Sequence, residues 1–502
     1  MNRRFVFHLA ILCSAAMIQS PFGANAADFS AGAAKVDISD PDTPSHDPLF
    51  VKALVLKDDA TTVALITVDA VAIGELGRIK NDYLANVRAA LQNELHIPPS
   101  NVLINASHCH GVVCLDIEQR TIQAVKDAAR KLEPVLVGAG TSREDRIMEN
   151  RRLRLKDGRE ADVRHAYALP PDEEVAAIGP VDPEVGLLRL DRPNGKTLAV
   201  VYNFACHPIL GVPSGENTAD ISGFASKVIE DNSDSAVALF LQGCAGDINP
   251  VTYKDVHNPR DAETLGNLLG LAALRGLKQI QPKPTGTIRV QQETIALPRA
   301  ADYEQRIAAI QAAQAQLLKS LTGTSLNLKT FVPLYLQYQL SGDYPSYYSH
   351  RYMHDQMLGK NDLGKLDANN RQNIEHYIRN VLAMEELARL QTNLDLLKMH
   401  QAQTLAAGKP TLDVEVTVLT VGDFVLTTFP GELSVEIGLN IKKAAPRDLT
   451  FVAAYTNGYI YYAPTEQQRR NTGYAQEDCD CLLAPEWQKI YETRVSEMLR
   501  KP

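Results

Sequence analysis

Val102-Leu103-Ile104-Asn105-Ala106-Ser107-His108-Cys109-His110 reads as a short apolar strand running straight into two histidines. A run of about five apolar residues with no polar alternation suits a strand buried on both faces. The same reading recurs along the chain. Residues 197–205 are apolar and lead into Cys206-His207-Pro208. Residues 236–241 lead into Gln242-Gly243-Cys244-Ala245-Gly246-Asp247, and 424–429 into Pro430-Gly431-Glu432. Residues 451–455 lead into Asn457-Gly458-Tyr459-Ile460-Tyr461-Tyr462. Further strands are predicted at 49–56, 62–69, 135–138, 287–297 and 414–420, the last joined to 424–429 by the hairpin signal Val421-Gly422-Asp423. Helical periodicity predicts helices at 77–95, 121–132, 261–277, 433–444 and 485–499. The pattern is α/β, with mixed β-sheets flanked by helices.

Between 301 and 407 the texture changes. Residues 303–320 and 373–399 read as long helices rich in Gln, Leu and Ala, flanking an irregular aromatic stretch at 335–352. The expectation is a helical insertion packed on the main domain, as a scaffold or as a lid. Ahead of the domain, Arg3-Arg4, a short apolar run and Ala24-Asn25-Ala26 form an export leader over residues 1–26. The apolar run falls short of the roughly 20 residues that a spanning helix needs. Residues 27–502 are therefore expected as one exported domain, periplasmic or secreted, with no transmembrane segment. Without Arg3 and Arg4 the chain carries 49 basic against 60 acidic side chains. An acidic chain argues against nucleic acid as a partner and against a basic membrane-surface module. Six cysteines follow the leader (109, 114, 206, 244, 479 and 481). An oxidising compartment permits disulfides between them, but spacing does not fix a pairing. Cys479-x-Cys481 by itself is a weak metal signal.

In α/β sheets ligands collect off the carboxyl ends of strands, so the His108-x-His110 pair, His207 and Glu432 are placed to converge. Two histidines and a carboxylate are a usual protein set for catalytic zinc, with one position open to water. Hydrogen-bonded structural histidines remain the competing reading of each residue alone.

The blocks 101–110, Asn150-Arg151-Arg152, 203–208, 219–225, Gly246-Asp247-Ile248-Asn249-Pro250, Pro430-Gly431-Glu432 and 457–462, taken in order, resemble the neutral, non-lysosomal ceramidase family, in particular the catalytic domain of its bacterial relatives. The resemblance implies one Zn²⁺ bound by His108, His207 and Glu432, with Tyr462 approaching the metal. It implies His110, Arg151, Tyr474 and Asn249 as the catalytic surroundings, and Asp220 and Asp247 as substrate contacts. It implies an amidase that cleaves an N-acyl sphingoid or ceramide-type lipid with a zinc-activated water. Two departures stand out. The family's G-D-V-S-P-N motif carries a serine where this chain has Asn249, and its H-T-H-S-G-P becomes His108-Cys109-His110-Gly111-Val112-Val113. The alternatives are a zinc hydrolase of the same fold acting on another amide, an ester, a lactone or a glycoconjugate, and a non-catalytic metal-binding protein. The immunoglobulin-like domain that follows the catalytic one in animal-type relatives is not expected here.

Overall fold

The computed structural model describes residues 29–163, 169–211, 216–251, 261–284, 287–345, 349–471 and 475–501. The leader 1–26 and Tyr474 lie outside them.

Three sheets carry the molecule, and each has one parallel pair at its edge. In the first, Val102–Ala106 lies parallel to Thr62–Val68, followed by Phe50–Lys57, Ser30–Asp37 and Glu133–Pro134. In the second, Val237–Gln242 is parallel to Thr197–Phe204, followed by Glu184–Asp191 and Leu136–Arg143. In the third, Ile288–Pro298, Thr411–Val421 and Phe424–Thr428 form an antiparallel meander, and Thr450–Ala453 joins its edge parallel to Phe424–Thr428. The sheets are mixed, as the sequence predicts. Leu54, Leu65, Leu103, Val201, Leu239, Leu426 and Phe451 meet in one buried cluster that all three sheets share.

Two buried asparagines stitch the sheet edges together. The Asn105 amide donates to Ala454 O at 2.6 Å and Thr456 Oγ1 at 2.9 Å, while its Oδ1 accepts from Gln242 N at 2.9 Å. Asn203 donates to Leu241 O at 2.9 Å and Val452 O at 3.1 Å. These bonds offset the cost of burying the amides and fix the relative register of the strands.

Helices Tyr83–Leu95, Ile117–Arg130, Asp220–Asp231, Ala262–Leu277, Val435–Ala444 and Trp487–Arg500 flank the sheets. The helix expected from residue 77 starts only at Tyr83, because the backbone turns through positive φ at Gly74, Glu75 and Gly77. Strand Ser30–Asp37 and helix Asp220–Asp231 have no counterpart in the sequence reading. The strand is built of small residues without a strong apolar signature. Among the described residues the insertion holds four helices, Tyr303–Ser320, Leu328–Leu340, Ser349–Met357 and Asp362–Ala407, the last 46 residues long. The aromatic stretch expected to be irregular is largely helical: Asn327 caps Leu328–Leu340 with a reciprocal capping box. The insertion's root packs through Tyr303, Ile310, Leu390, Leu394 and Leu397 against Cys479. All six described cysteines are buried free thiols, so the disulfides that export would permit are not formed. No described helix is long and apolar enough to cross a membrane.

Candidate metal centre

Each sheet sends one residue to a common point, from just past the end of a strand in its parallel pair. His108 follows Val102–Ala106, His207 follows Thr197–Phe204, and Glu432 follows Phe424–Thr428. One ligand-type atom from each lies within 4.8 Å of the others, and all three residues are buried. Among the described residues this is the one cluster of three or more His, Cys, Asp or Glu side chains close enough to hold an ion. Cys479 and Cys481 form no such cluster; their sulfurs meet Arg306 Nη2 and the backbone of Leu483.

The imidazoles are oriented from behind. His108 Nδ1 lies 2.6 Å from Val71 O, and His207 Nδ1 lies 3.0 Å from Ile248 O. A carbonyl only accepts, so each Nδ1 carries the proton and each Nε2 presents its lone pair forward. Both Nε2 atoms face Glu432 Oε2, at 3.6 Å from His108 and 3.1 Å from His207. The carboxylate is held from its other side by two phenols, Tyr459 at 2.5 Å to Oε1 and Tyr455 at 3.2 Å to Oε2. Burial pushes the Glu432 carboxyl up; the electrostatic pull of the His108 and His207 rings and the hydrogen bond from Tyr459 outweigh it and hold it well below the usual range. Two inward-facing imidazole lone pairs and a buried anion are the donor set that a zinc ion takes. The residues therefore fit the metal.

Backbone strain gathers at the same place. His108, Tyr455, Asn457 and Tyr461 all adopt positive φ, at 69°, 54°, 60° and 64°. Non-glycine residues in this region cost energy that surrounding contacts must hold. Ala106 N donating to Tyr455 O at 3.0 Å and Asn457 N to Ile104 O at 2.8 Å are such contacts.

A second group lines one flank. Arg151, fully buried, donates from Nη1 to Asn249 Oδ1 at 3.0 Å and from Nη2 to Gly246 O at 2.5 Å and Tyr462 Oη at 3.3 Å. Its Nε lies 2.7 Å from Glu477 Oε1. Burial disfavours the guanidinium charge, but Glu477 and its neighbours more than offset this and hold its pKa well above the usual value. Tyr462 is fixed by strand Tyr462–Ala463, parallel to Glu432–Leu433. Gly246 must be glycine, since a Cβ there would sit 2.6 Å from Glu432 O.

His110 is exposed, its ring edge-on to His108 with centroids 5.4 Å apart. Asp247 accepts from Val435 N at 2.8 Å and Asn150 Nδ2 at 3.2 Å, tying the 246–249 turn to the residues after Glu432. Asp220 accepts from Gly211 N at 2.6 Å and Ile221 N at 2.7 Å, so its carboxylate shapes the loop after His207. Both carboxylates are thus committed to the frame. Sequence reasoning did not single out Tyr455 or Tyr459 as partners of Glu432, nor Glu477 as the counter-charge of Arg151. The tyrosine-rich loop at 455–462 was the available signal for the phenols, whereas nothing local marks Glu477.

No protein-family model matches the chain, and no curated protein matches it. Solved structures do. The crystal structure of neutral ceramidase from Pseudomonas aeruginosa superposes with a TM-score of 0.58 at 14% identity, covering 94% of this chain and 74% of that one. A structure described as ceramidase complexed with C2 gives 0.58 at 16% identity, covering 94% and 75%. This chain has the neutral ceramidase fold. At these identities the likeness is one of backbone architecture, and the chemistry rests on the His108, His207 and Glu432 cluster itself.

Proposed function

We propose that the chain is an exported zinc-dependent hydrolase that cleaves an amide of the N-acyl sphingoid or ceramide type. The observation that carries this reading is the meeting of two backbone-oriented imidazoles and one phenol-held carboxylate where three sheets of a neutral ceramidase fold converge. A zinc ion bound there supplies Lewis acidity and lowers the pKa of water toward about 7. His108, His207 and Glu432 hold it, and Tyr455 and Tyr459 keep the carboxylate in one orientation. Exposed beside His108, His110 takes a proton from the attacking water and passes it to the leaving amine. The reaction adds oxygen to the acyl carbon and breaks its bond to nitrogen, giving a carboxylic acid and an amine. Tyr474 and Tyr462 are assigned as hydroxyl donors to the developing oxyanion, with Arg151 fixing Tyr462 and Asn249. Asp220 and Asp247 act through the loops they brace. The leader 1–26 supports an extracytoplasmic location, and N-terminal sequencing of the exported protein should begin at Ala27; an intact Met1 would refute cleavage.

Asn249 favours a second reading. It is buried, its Oδ1 is taken by Arg151, and an amide has no nucleophilic hydroxyl. Where the resembling family has serine, this fixed amide suits a substrate other than ceramide: another amide, an ester, a lactone or a glycoconjugate. The deciding experiment assays zinc-loaded protein and Asn249→Ser on N-acyl sphingoid lipids, N-acyl amino acids, lactones and glycosides. Ceramide cleavage kept or raised in Asn249→Ser supports the lipid amidase. Loss of activity on another substrate supports the second reading. No hydrolysis of any of them by wild type would leave a metal-binding protein without this chemistry.

A further inference from the structure

A cavity of about 530 Å³ opens between the root of the insertion and the body, and no residue of the metal centre lines it. That size is ordinary for a small-molecule site. Five arginines line it, Arg159, Arg306, Arg389, Arg469 and Arg470, against two carboxylates, Asp302 and Glu386. Both acids are already engaged, Asp302 by Arg469 at 2.7 Å and Glu386 by Arg389. Arg159 and Arg470 turn to the outer rim, pairing with Asp157 at 2.7 Å and Glu466 at 2.9 Å. Exposed pairs of that kind are weak and exchangeable. Arg306 has no carboxylate partner among the described residues. Its Nη1 donates to Arg469 O at 3.1 Å and its Nη2 to Cys479 Sγ at 3.4 Å. A guanidinium has five N–H donors, so most of this half-buried fork has no acceptor among the described residues.

The remainder of the lining is apolar. Ala309, Ile310 and Ala313 share one face of helix Tyr303–Ser320, and Leu390 joins them from Asp362–Ala407. A surplus of cationic donors beside an aliphatic wall, on a chain of net charge −9, selects for a ligand that is anionic at one end and greasy at the other.

We propose that this cavity binds an amphiphile bearing one anionic headgroup on an alkyl chain, with the headgroup on the Arg306 fork and the chain along Ile310 and Leu390. A carboxylate or a phosphate monoester satisfies the fork equally well in kind, each accepting two parallel N–H bonds. The proposal does not depend on the metal centre being catalytic. Its floor does reach that centre: Asn471 donates to Asp478 at 2.8 Å, Asp478 pairs with Arg152, and Glu477 lies between Arg152 and Arg151.

Isothermal titration calorimetry on the full chain tests it, below micellar concentrations, with dodecanoate, dodecyl phosphate, inorganic phosphate and dodecyltrimethylammonium. One site per chain for dodecanoate or dodecyl phosphate is expected, and the tighter of the two names the headgroup. Arg306→Gln should weaken that binding about tenfold or more, the usual effect of losing a charge-assisted fork. Ala309→Glu, at an exposed helix position that tolerates the change, should weaken it comparably with an unchanged melting curve, and it decides the matter if Arg306→Gln fails to fold. Arg143→Gln, on an exposed pair with Asp145, should bind as wild type does. Equal affinity in wild type and both cavity variants overturns the proposal. So does binding of the cationic amphiphile as tightly as the anionic ones, or of inorganic phosphate alone.

Discussion

Glu432 shows how much of the candidate centre is decided one side chain at a time. A buried carboxylate is costly unless its lone pairs are taken, and here two phenols donate to it. Tyr459 makes the shorter of these bonds, at 2.5 Å to the oxygen that His207 does not face. Tyr459→Phe keeps the packing and removes that donor. Partners that orient a ligating carboxylate are worth about 10–100-fold in metal affinity, so zinc affinity measured by chelator competition should fall in that range. An unchanged affinity would reduce Tyr459 to a packing residue. His207→Ala, which removes a proposed ligand, should abolish stoichiometric zinc by elemental analysis, while wild type retains one per chain.

At the scale of elements, the site depends on strand ends being held in register by groups remote from the chemistry. The buried ion-pair cluster behind Arg151 is the clearest case. Arg152 lies 2.5 Å from Asp478 and 3.6 Å from both Glu477 and Glu160, all of them buried. Removing one partner of a buried network strands the others, at about 3–5 kcal/mol. Arg152→Ala is expected to lower the urea midpoint accordingly, and a double change with Asp478→Ala should recover part of the loss. A loss no larger than that of an exposed pair such as Arg143 with Asp145 would mean the cluster is solvated in solution. The strands that carry the ligands were legible as sequence, because a continuous apolar run ending in His or Gly is a local signal. Asp220–Asp231 and Ser30–Asp37 were not, since small and polar residues become helix or strand there through what packs against them.

For the whole molecule, burial of a carboxylate ties stability to pH. Asp69 is pushed up to about 6, chiefly by burial, with Lys52 and the Phe50 amide opposing. An acid whose folded pKa is raised is protonated in the folded chain while already ionised in the unfolded one. Between about pH 4 and 6 the folded state then binds more protons, so this group's contribution falls as pH rises. A shift of that size corresponds to roughly 3 kcal/mol. Asp69→Asn retains an acceptor for Phe50 N, which Asp69 Oδ2 meets at 2.9 Å. In metal-free protein it should gain stability relative to wild type at pH 7 compared with pH 4. The same difference at both pH values would show that Asp69 does not titrate in this window.

By itself the sequence determined the class of fold, the strands that end in His108, His207 and Glu432, and the kind of chemistry those residue types permit. These are local properties: apolar runs, turn residues and ligand-type side chains can be read without knowing what lies opposite. Convergence was decided by tertiary structure, because three separate sheets must meet for the three residues to come within 4.8 Å. So were the phenols on Glu432, the commitment of Asp220 and Asp247 to backbone amides, and the arginine-lined cavity under the insertion. Each of these joins residues far apart in the chain, and only burial and close packing determine which charges and hydrogen-bonding groups must satisfy one another.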